Sequence, residues 1–392
     1  MTTHGKDRSA PASRSPAHDS NPARFPEHRP TLIPPSDAPV PPSPRAPRTA
    51  PRKIDDPAFQ ERVAALVADC GGDPDSIDFD LVRDMVMTSL KLVTDDRDTG
   101  ELKLMSTALK ELRYAYNVFA QHAASQKVTI FGSARTPPEH PDYKAAVDFS
   151  RMMAEEGWGV ITGAGDGIMK AGHEGPGKDS SFGLSIRLPF ETNANTVIKG
   201  DSKLVTFRYF FTRKLMFVSQ CDAVVCFPGG FGTQDETFES LTLTQTGKGA
   251  MMPIVFLEGP GGDYWHDWDH YIRKNLLAKH FISHEDLSLY YIARDPADAV
   301  SHIQRFYRNY HSARYVRDDL VIRVKRRLRE TDVARLSKEF ALLLREGSIK
   351  QRGPYDVETD HLDLPRLAFT HTRRNIGLIR RLIDRINEFD PE

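Results

Sequence analysis

The chain has 392 residues, 39% of them hydrophobic and 27% charged. That is room for two or three domains with a sizeable core, in an ordinary globular composition. Its 53 Lys and Arg against 54 Asp and Glu leave a formal net charge of -1, which argues against a general nucleic-acid or membrane-surface binder.

Residues 1–52 hold 13 of the 27 prolines and a single aromatic, Phe25. Such a segment buries too little apolar surface to offset its ordering entropy, so a disordered tail is expected rather than a Pro-rich docking segment around Pro41-Pro42-Ser43-Pro44. No N-terminal apolar segment of the secretory kind and no run of about 18 apolar residues is present, so a cytoplasmic location is expected. Residues 53–125 have helical spacing and form an expected helical N-terminal domain. Phe59, Val63, Leu66 and Val67 share one face, a second helix follows over Phe79–Leu92, and a third covers Leu102–Ala120 with Leu104, Leu109, Leu112 and Tyr116 among its apolar positions. Gly71-Gly72-Asp73-Pro74 and residues 95–100 separate them.

From 126 to 310 strands and helices alternate. Candidate strands are Lys127–Arg135, Gly159–Gly165, Gly183–Leu188, Lys203–Phe207, Ala223–Phe227, Pro253–Glu258 and Leu287–Ile292. Unalternating apolar strands with helices between them predict an α/β fold, a Rossmann-like parallel sheet covered on both faces. In such sheets ligands bind beyond the carboxyl ends of the strands. Three glycine-bearing strand ends, Gly132-Ser133, Gly163–Gly167 and Gly229-Gly230, converge there. Residues 311–392 read as a small C-terminal α/β extension, with a strand at Leu320–Val324 and helices over Asp332–Leu344 and Thr372–Phe389. The last helix sets Ile376, Ile379, Ile383 and Ile386 on one face, and Arg373, Arg374, Arg380, Arg381 and Arg385 elsewhere as a solvated cationic face.

The most informative stretch is Pro228-Gly-Gly-Phe-Gly-Thr-Gln-Asp-Glu236. A buried strand that ends in glycines and turns into a helix builds an anion seat, because glycines let backbone approach a phosphate and helix-terminal N–H groups point at it. Gly229, Gly230, Gly232 and Thr233 would form that seat, and Glu236 lies one helical turn deeper, where its carboxylate can face the same cavity. Arg213 and Lys214 open a helix over Phe210–Val218; the 14 positions from Lys214 to Pro228 span one helix, a turn and a strand, which brings both helix starts to one sheet edge. By contrast Gly163-x-Gly165-x-Gly167 departs from the dinucleotide fingerprint, and Arg187 and Leu188 stand where an acidic residue should close the next strand. A nicotinamide-dependent dehydrogenase is disfavoured, and a mononucleotide site is open.

Arg213-Lys214 followed by Pro228-Gly-Gly-x-Gly-Thr-x-x-Glu236 resembles the LONELY GUY (LOG) family, often mislabelled "lysine decarboxylase". The resemblance runs from about Lys127 to Tyr307 and includes Phe131-Gly132-Ser133 and the Gly163–Met169 loop; Gln234 stands where many members carry leucine. It implies hydrolysis of a nucleoside 5'-monophosphate to free base and ribose 5-phosphate, with no cofactor. It further implies Glu236 and Arg213 as catalytic residues, and Gly132, Ser133, Gly165, Gly167, Met169, Lys214, Gly229, Gly230, Gly232, Thr233 and Glu239 around the substrate. Members are dimers, so a homodimer or a larger homo-oligomer is expected, with no nucleic-acid or membrane partner. A nucleotide-sensing binder without turnover is the second reading, which the joint presence of Glu236 and Arg213 disfavours. A pyridoxal phosphate decarboxylase would need a distinguished Schiff-base lysine, and none stands out. His266-Asp267-Trp268-Asp269-His270 has zinc-like i, i+4 spacing but no third ligand and reads as a helix surface, so no metal is expected. Cys70, Cys221 and Cys226 form no CxxC pair; the last two sit in the apolar run before the glycine motif and read as reduced core residues.

Overall fold

The structure is a computed structural model that describes residues 54, 56–188 and 194–390; the Pro-rich tail expected over 1–52 lies outside the described residues. The chain divides into two compact units, one up to Leu102 and one from Lys103 onward.

In the first unit, helix α1 (Pro57–Asp69) starts where Asp56 accepts a hydrogen bond from Ala58 N, with proline at the first helical position. Helix α2 (Ile77–Lys91) starts where Ser76 accepts from Phe79 N, and Val63, Val67 and Phe79 are buried between the two. Leu66, expected on the inner face of α1, is exposed. The first unit also holds the start of α3 (Thr99–Ala120).

In the second unit, α3 buries Ala115, Val118 and Phe119, whereas Leu109 and Tyr116 are exposed. The chain then runs through β1 (Lys127–Phe131), α4 (Pro141–Glu155), β2 (Gly159–Thr162), α5 (Ile168–Glu174), β3 (Ser181–Ile186), β4 (Leu204–Phe207), α6 (Phe210–Ser219), β5 (Ala223–Cys226), α7 (Phe231–Gln245), β6 (Ile254–Phe256), α8 (Tyr264–Ile272), β7 (Tyr290–Ile292) and α9 (Pro296–Phe306). The seven strands form one parallel sheet in the order β4-β3-β2-β1-β5-β6-β7. Alternate side chains of each strand serve opposite faces. Val128, Ile130, Val225 and Val255 pack under α4, α5 and α9, while Phe131, Ile161, Val224, Cys226 and Phe256 pack under α3, α6 and α8. Full cover on both sides explains why the strands read as continuous apolar runs. The order reverses between β1 and β5, and there the chain ends after the two strands lie together: Phe227 N donates to Phe131 O at 2.8 Å and Ser133 N to Pro228 O at 3.1 Å. This is the position at which doubly wound sheets open a ligand crevice.

The sequence places every one of these strands, and the differences lie at their ends. β1 and β2 stop at Phe131 and Thr162, short of the expected Arg135 and Gly165. The residues beyond leave the sheet as loops, and their carbonyls bond to other segments instead of a ladder: Ser133 O accepts from Ile168 N and Ala164 O from Asn195 N.

Past α9 the chain forms β8 (Tyr310–Val316), β9 (Asp319–Val324), α10 (Glu330–Glu339), β10 (Lys350–Arg352), β11 (Arg366–Thr370) and α11 (Ile376–Glu388). Its four strands make an antiparallel sheet, β10-β11-β9-β8, of which the sequence reading had only β9. The expected helix over Asp332–Leu344 ends at Glu339 and is followed by a 3-10 turn at Ala341–Leu343. Ile379, Ile383 and Ile386 of α11 are buried as the spacing predicts. The cationic-face reading needs correction at Arg380. Its side chain is 2% exposed, pairs with Asp384 at 3.1 Å, meets His302 Nε2 at 2.9 Å and lies over the Phe306 ring. A neighbouring carboxylate and an aromatic face compensate the buried guanidinium, so it belongs to the core.

Candidate functional site

Beyond the carboxyl ends of β1 and β5 lies a cleft of about 750 Å³. Nine of the thirteen residues expected at a site line it: Gly132, Ser133, Met169, Arg213, Gly229, Gly230, Gly232, Thr233 and Glu236. Gly165, Gly167, Lys214 and Glu239 are not among its lining residues.

The start of α7 forms one end. Gly230 is its N-cap with extended backbone and, lacking a side chain, gives no capping hydrogen bond, so the first amides of a 15-residue helix are not capped by the residue that precedes them. A Cβ at Gly229 would strike the Thr233 side chain, so glycine there is a packing requirement. Gly230 and Gly232 are different. Neither has a positive φ, and a Cβ on either would meet nothing within 4 Å. The fold does not require glycine at these two positions, and the space they leave faces the cleft.

Glu236 lies one turn further into α7. It is 9% exposed, and its Oε2 has no hydrogen-bond partner among the described residues. Burial pushes its carboxyl up to about 7; Lys214 opposes the rise, Glu239 adds to it, Arg213 opposes it and Asp235 adds to it. Lys214 Nζ stands 3.9 Å from Glu236, 2.6 Å from Glu239 and 3.1 Å from Asp235. Burial works against its charge, yet these carboxylates hold the ammonium above its ordinary range. Lys214 therefore neutralises a cluster of acids. The rest of α7's inner face is also polar. Thr237, Ser240 and Thr244 are buried, and each hydroxyl donates to the carbonyl four residues back at 2.8–2.9 Å.

Arg213, the fourth residue of α6, crosses under the ends of β2 and β3. Its Nε donates to Leu184 O at 2.7 Å, and the guanidinium packs over Phe217, 5.0 Å from the ring centre. Gly163 is where the chain passes this side chain, and a Cβ there would strike it.

The Gly163–Met169 loop is held from beneath. Ala164 has a left-handed φ of 62°, supported by Ala164 N donating to Thr162 Oγ1 at 3.0 Å and by Asn195 N donating to Ala164 O at 2.8 Å. Asn195 Nδ2 donates to Gly165 O at 3.0 Å and lies 3.2 Å from Nδ1 of the fully buried His173. Because the carbonyl of Phe182 only accepts, His173 carries its proton on Nε2, 3.0 Å from that oxygen, and Nδ1 receives the amide. Burial lowers the His173 pKa to about 4, so the imidazole is neutral. Gly167 has a φ of 61°, and a Cβ on it would fall on the Ser133–Ala134 backbone; that close approach lets Ile168 N donate to Ser133 O at 3.0 Å.

Residues 162–303 match the family model described as "Possible lysine decarboxylase". A curated relative in Oryza sativa subsp. japonica, "Probable cytokinin riboside 5'-monophosphate phosphoribohydrolase LOG4", is 30% identical over 125 residues, 31% of this chain and 53% of that protein. The matched segment is similar to this LOG-type relative. The LOG-type segment carries Met169, Arg213 and the Gly229–Glu236 turn, while Gly132-Ser133 precedes it. The chain spans about half the length of this curated relative. Among solved structures, the molybdenum cofactor binding protein of Rippkaea orientalis is 17% identical, with 46% of this chain and 96% of that one covered and a TM-score of 0.33. DNA processing protein A of Helicobacter pylori is 15% identical, with 48% and 83% covered and a TM-score of 0.34.

Gly163, Phe210, Phe217, Gln234 and Asp235 also line the cleft and were not among the expected site residues. Phe210 and Phe217 sit on the same helix as Arg213, and that shared helix is the signal that could have found them. Among the described residues no group of three His, Cys, Asp or Glu is arranged for a metal ion. His266 and His270 are exposed, while Trp265 and Trp268 from the same helix, α8, are core residues. Cys226 is buried, with its thiol pushed up to about 12. Among the described residues no helix is long and apolar enough to cross a membrane.

Proposed function

We propose that the cleft hydrolyses the N-glycosidic bond of nucleoside 5'-monophosphates of the AMP type, releasing the free base and ribose 5-phosphate. One observation carries this reading. The cleft holds, at one end, helix-terminal amides beside two glycines the fold does not need and, one turn deeper, a buried carboxylate oxygen that accepts no hydrogen bond among the described residues and has only the Lys214 ammonium, 3.9 Å away, beside it. The amides suit a 5'-phosphate. The carboxylate of Glu236 suits the ribose carbon that becomes positive as the C1'–N bond breaks and its electron pair leaves with the base. Water supplies the new oxygen on C1', and one of its protons ends on the base nitrogen. A charge fixed in this way contributes about 3–4 kcal/mol to lowering the barrier, by comparison with other preplaced electrostatic groups. Arg213, anchored on a strand carbonyl, binds the ribose hydroxyls or the base side.

The LOG-type match and the name of the rice relative support this reaction class. A Schiff-base decarboxylase finds no support, since no lysine lines the cleft among the described residues. The mouth of the cleft supports a homodimer. Phe231 is 95% exposed, and Phe210, Phe211 and Leu215 of α6 are also exposed. Aromatic surface of this kind at a cleft mouth suits coverage by a second copy. The direct test of the reading is to incubate the purified protein with AMP and quantify adenine and ribose 5-phosphate.

A further inference from the structure

A chain of three side chains runs from α8 to the phosphate end of the cleft. Trp268 Nε1 donates to Gln234 Oε1 at 2.9 Å, Gln234 Nε2 donates to Tyr264 Oη at 2.6 Å, and Tyr264 Oη donates to Gly229 O at 2.6 Å. Its direction is fixed by chemistry. An indole nitrogen can only donate, so it must face the amide oxygen; the amide nitrogen is then turned to the phenol, whose single proton is left for the carbonyl.

The last bond determines where an amide points. Gly229 O and the N–H of Gly230 belong to one trans peptide and project in opposite directions. A carbonyl held on Tyr264, which is outside the cleft lining, turns the Gly230 N–H the other way, and Gly230 lines the cleft. Gly230 has no side chain, and a Cβ there would meet nothing within 4 Å, so no side-chain packing at Gly230 fixes this peptide plane and the phenol is the group that holds its carbonyl. The other end of the chain rests on a rigid support. Glu258 accepts from Tyr264 N at 3.0 Å at the start of α8, and Trp265 stacks on Phe256 with ring centres 4.2 Å apart.

We propose that Trp268, Gln234 and Tyr264 are positioning residues that aim the Gly230 amide at the 5'-phosphate and so set the preference for phosphorylated over unphosphorylated ligands. This rests on the proposed nucleotide reading of the cleft. Trp268 and Tyr264 are not among the cleft-lining residues, and Gln234, which lines the cleft, is tied to both of them, so the chain acts on the cleft through the Gly229 carbonyl.

The test is equilibrium binding, measured by calorimetry on the full chain with ribose 5-phosphate, AMP and adenine. In Tyr264→Phe the dissociation constants of ribose 5-phosphate and AMP rise about tenfold, as expected for one hydrogen bond to a charged group, while that of adenine is constant. Gln234→Leu gives the same split, and the double variant is no weaker than either single one, because both cut one chain. Trp268→Phe cuts it upstream and is the substitute if Gln234→Leu fails to fold. An unchanged affinity for ribose 5-phosphate in Tyr264→Phe overturns the proposal, as does equal weakening of all three ligands or a wild-type protein that binds no phosphorylated ligand. Wild-type binding without release of adenine from AMP overturns only the reading of the function.

Discussion

Glu236 is where chemistry and burial meet, and its environment carries the sharpest prediction. Burial raises its carboxyl from 4.5 to about 7, while a carboxylate that stabilises positive charge acts only when ionised. The kcat/KM of AMP hydrolysis should therefore rise with pH through about 7. Glu236→Gln should lower adenine release at least 100-fold, in line with a contribution of about 3–4 kcal/mol. The folded protein keeps this proton up to about pH 7 and the unfolded chain releases it near 4.5, so this group destabilises the fold as pH rises through that window. Melting temperatures of the Gln variant should fall less between pH 5 and pH 8 than those of the wild type. That Glu236 and Arg213 lie at one sheet edge was readable from their spacing in the sequence, and both line the cleft. The bonds from Gln234 to Tyr264 and Trp268 were not, because they exist only once α8 docks beside α7, and sequence separation says nothing of that.

The two loops after β1 and β2 show what elements add to residues. Their glycines marked the ligand edge, but the apolar runs extended the strands into them, since a continuous apolar run carries no stop signal of its own. The support under the Gly163–Met169 loop was hidden, because Asn195 and His173 reach it from other segments. Asn195→Ala removes the donor to Gly165 O and the partner of His173, leaving buried polar groups unsatisfied at a cost of about 1–3 kcal/mol. The expected outcome is a lower melting temperature together with a several-fold rise in KM for AMP, read by calorimetry and steady-state kinetics. A variant with a lower melting temperature and an unchanged KM would show that the loop's shape does not depend on this bond. The C-terminal sheet was harder to read, because β10 has three residues and only one interior strand, β9, has a long apolar run. Arg380 was misread for a related reason: helical spacing places a charge on a face but does not say whether α9 covers it.

At the scale of the whole molecule the sheet, its two helical layers and the C-terminal sheet from Lys103 onward form one compact unit, and the cleft opens at its strand-order reversal. The exposed aromatics at the mouth predict a solution mass of twice the 44.2 kDa of one chain, measured by light scattering; a purely monomeric protein with full activity would remove the second copy from the account. The central claim is that one cleft grips a phosphate and charges the sugar beside it. It is tested most directly by time-resolved product analysis of the full chain with AMP, run in parallel with Glu236→Gln. The account predicts adenine and ribose 5-phosphate in equal amounts from the wild type and almost none from the variant, with AMP still bound by both. Equal turnover by the two proteins, or AMP bound by the wild type and returned intact, would contradict it.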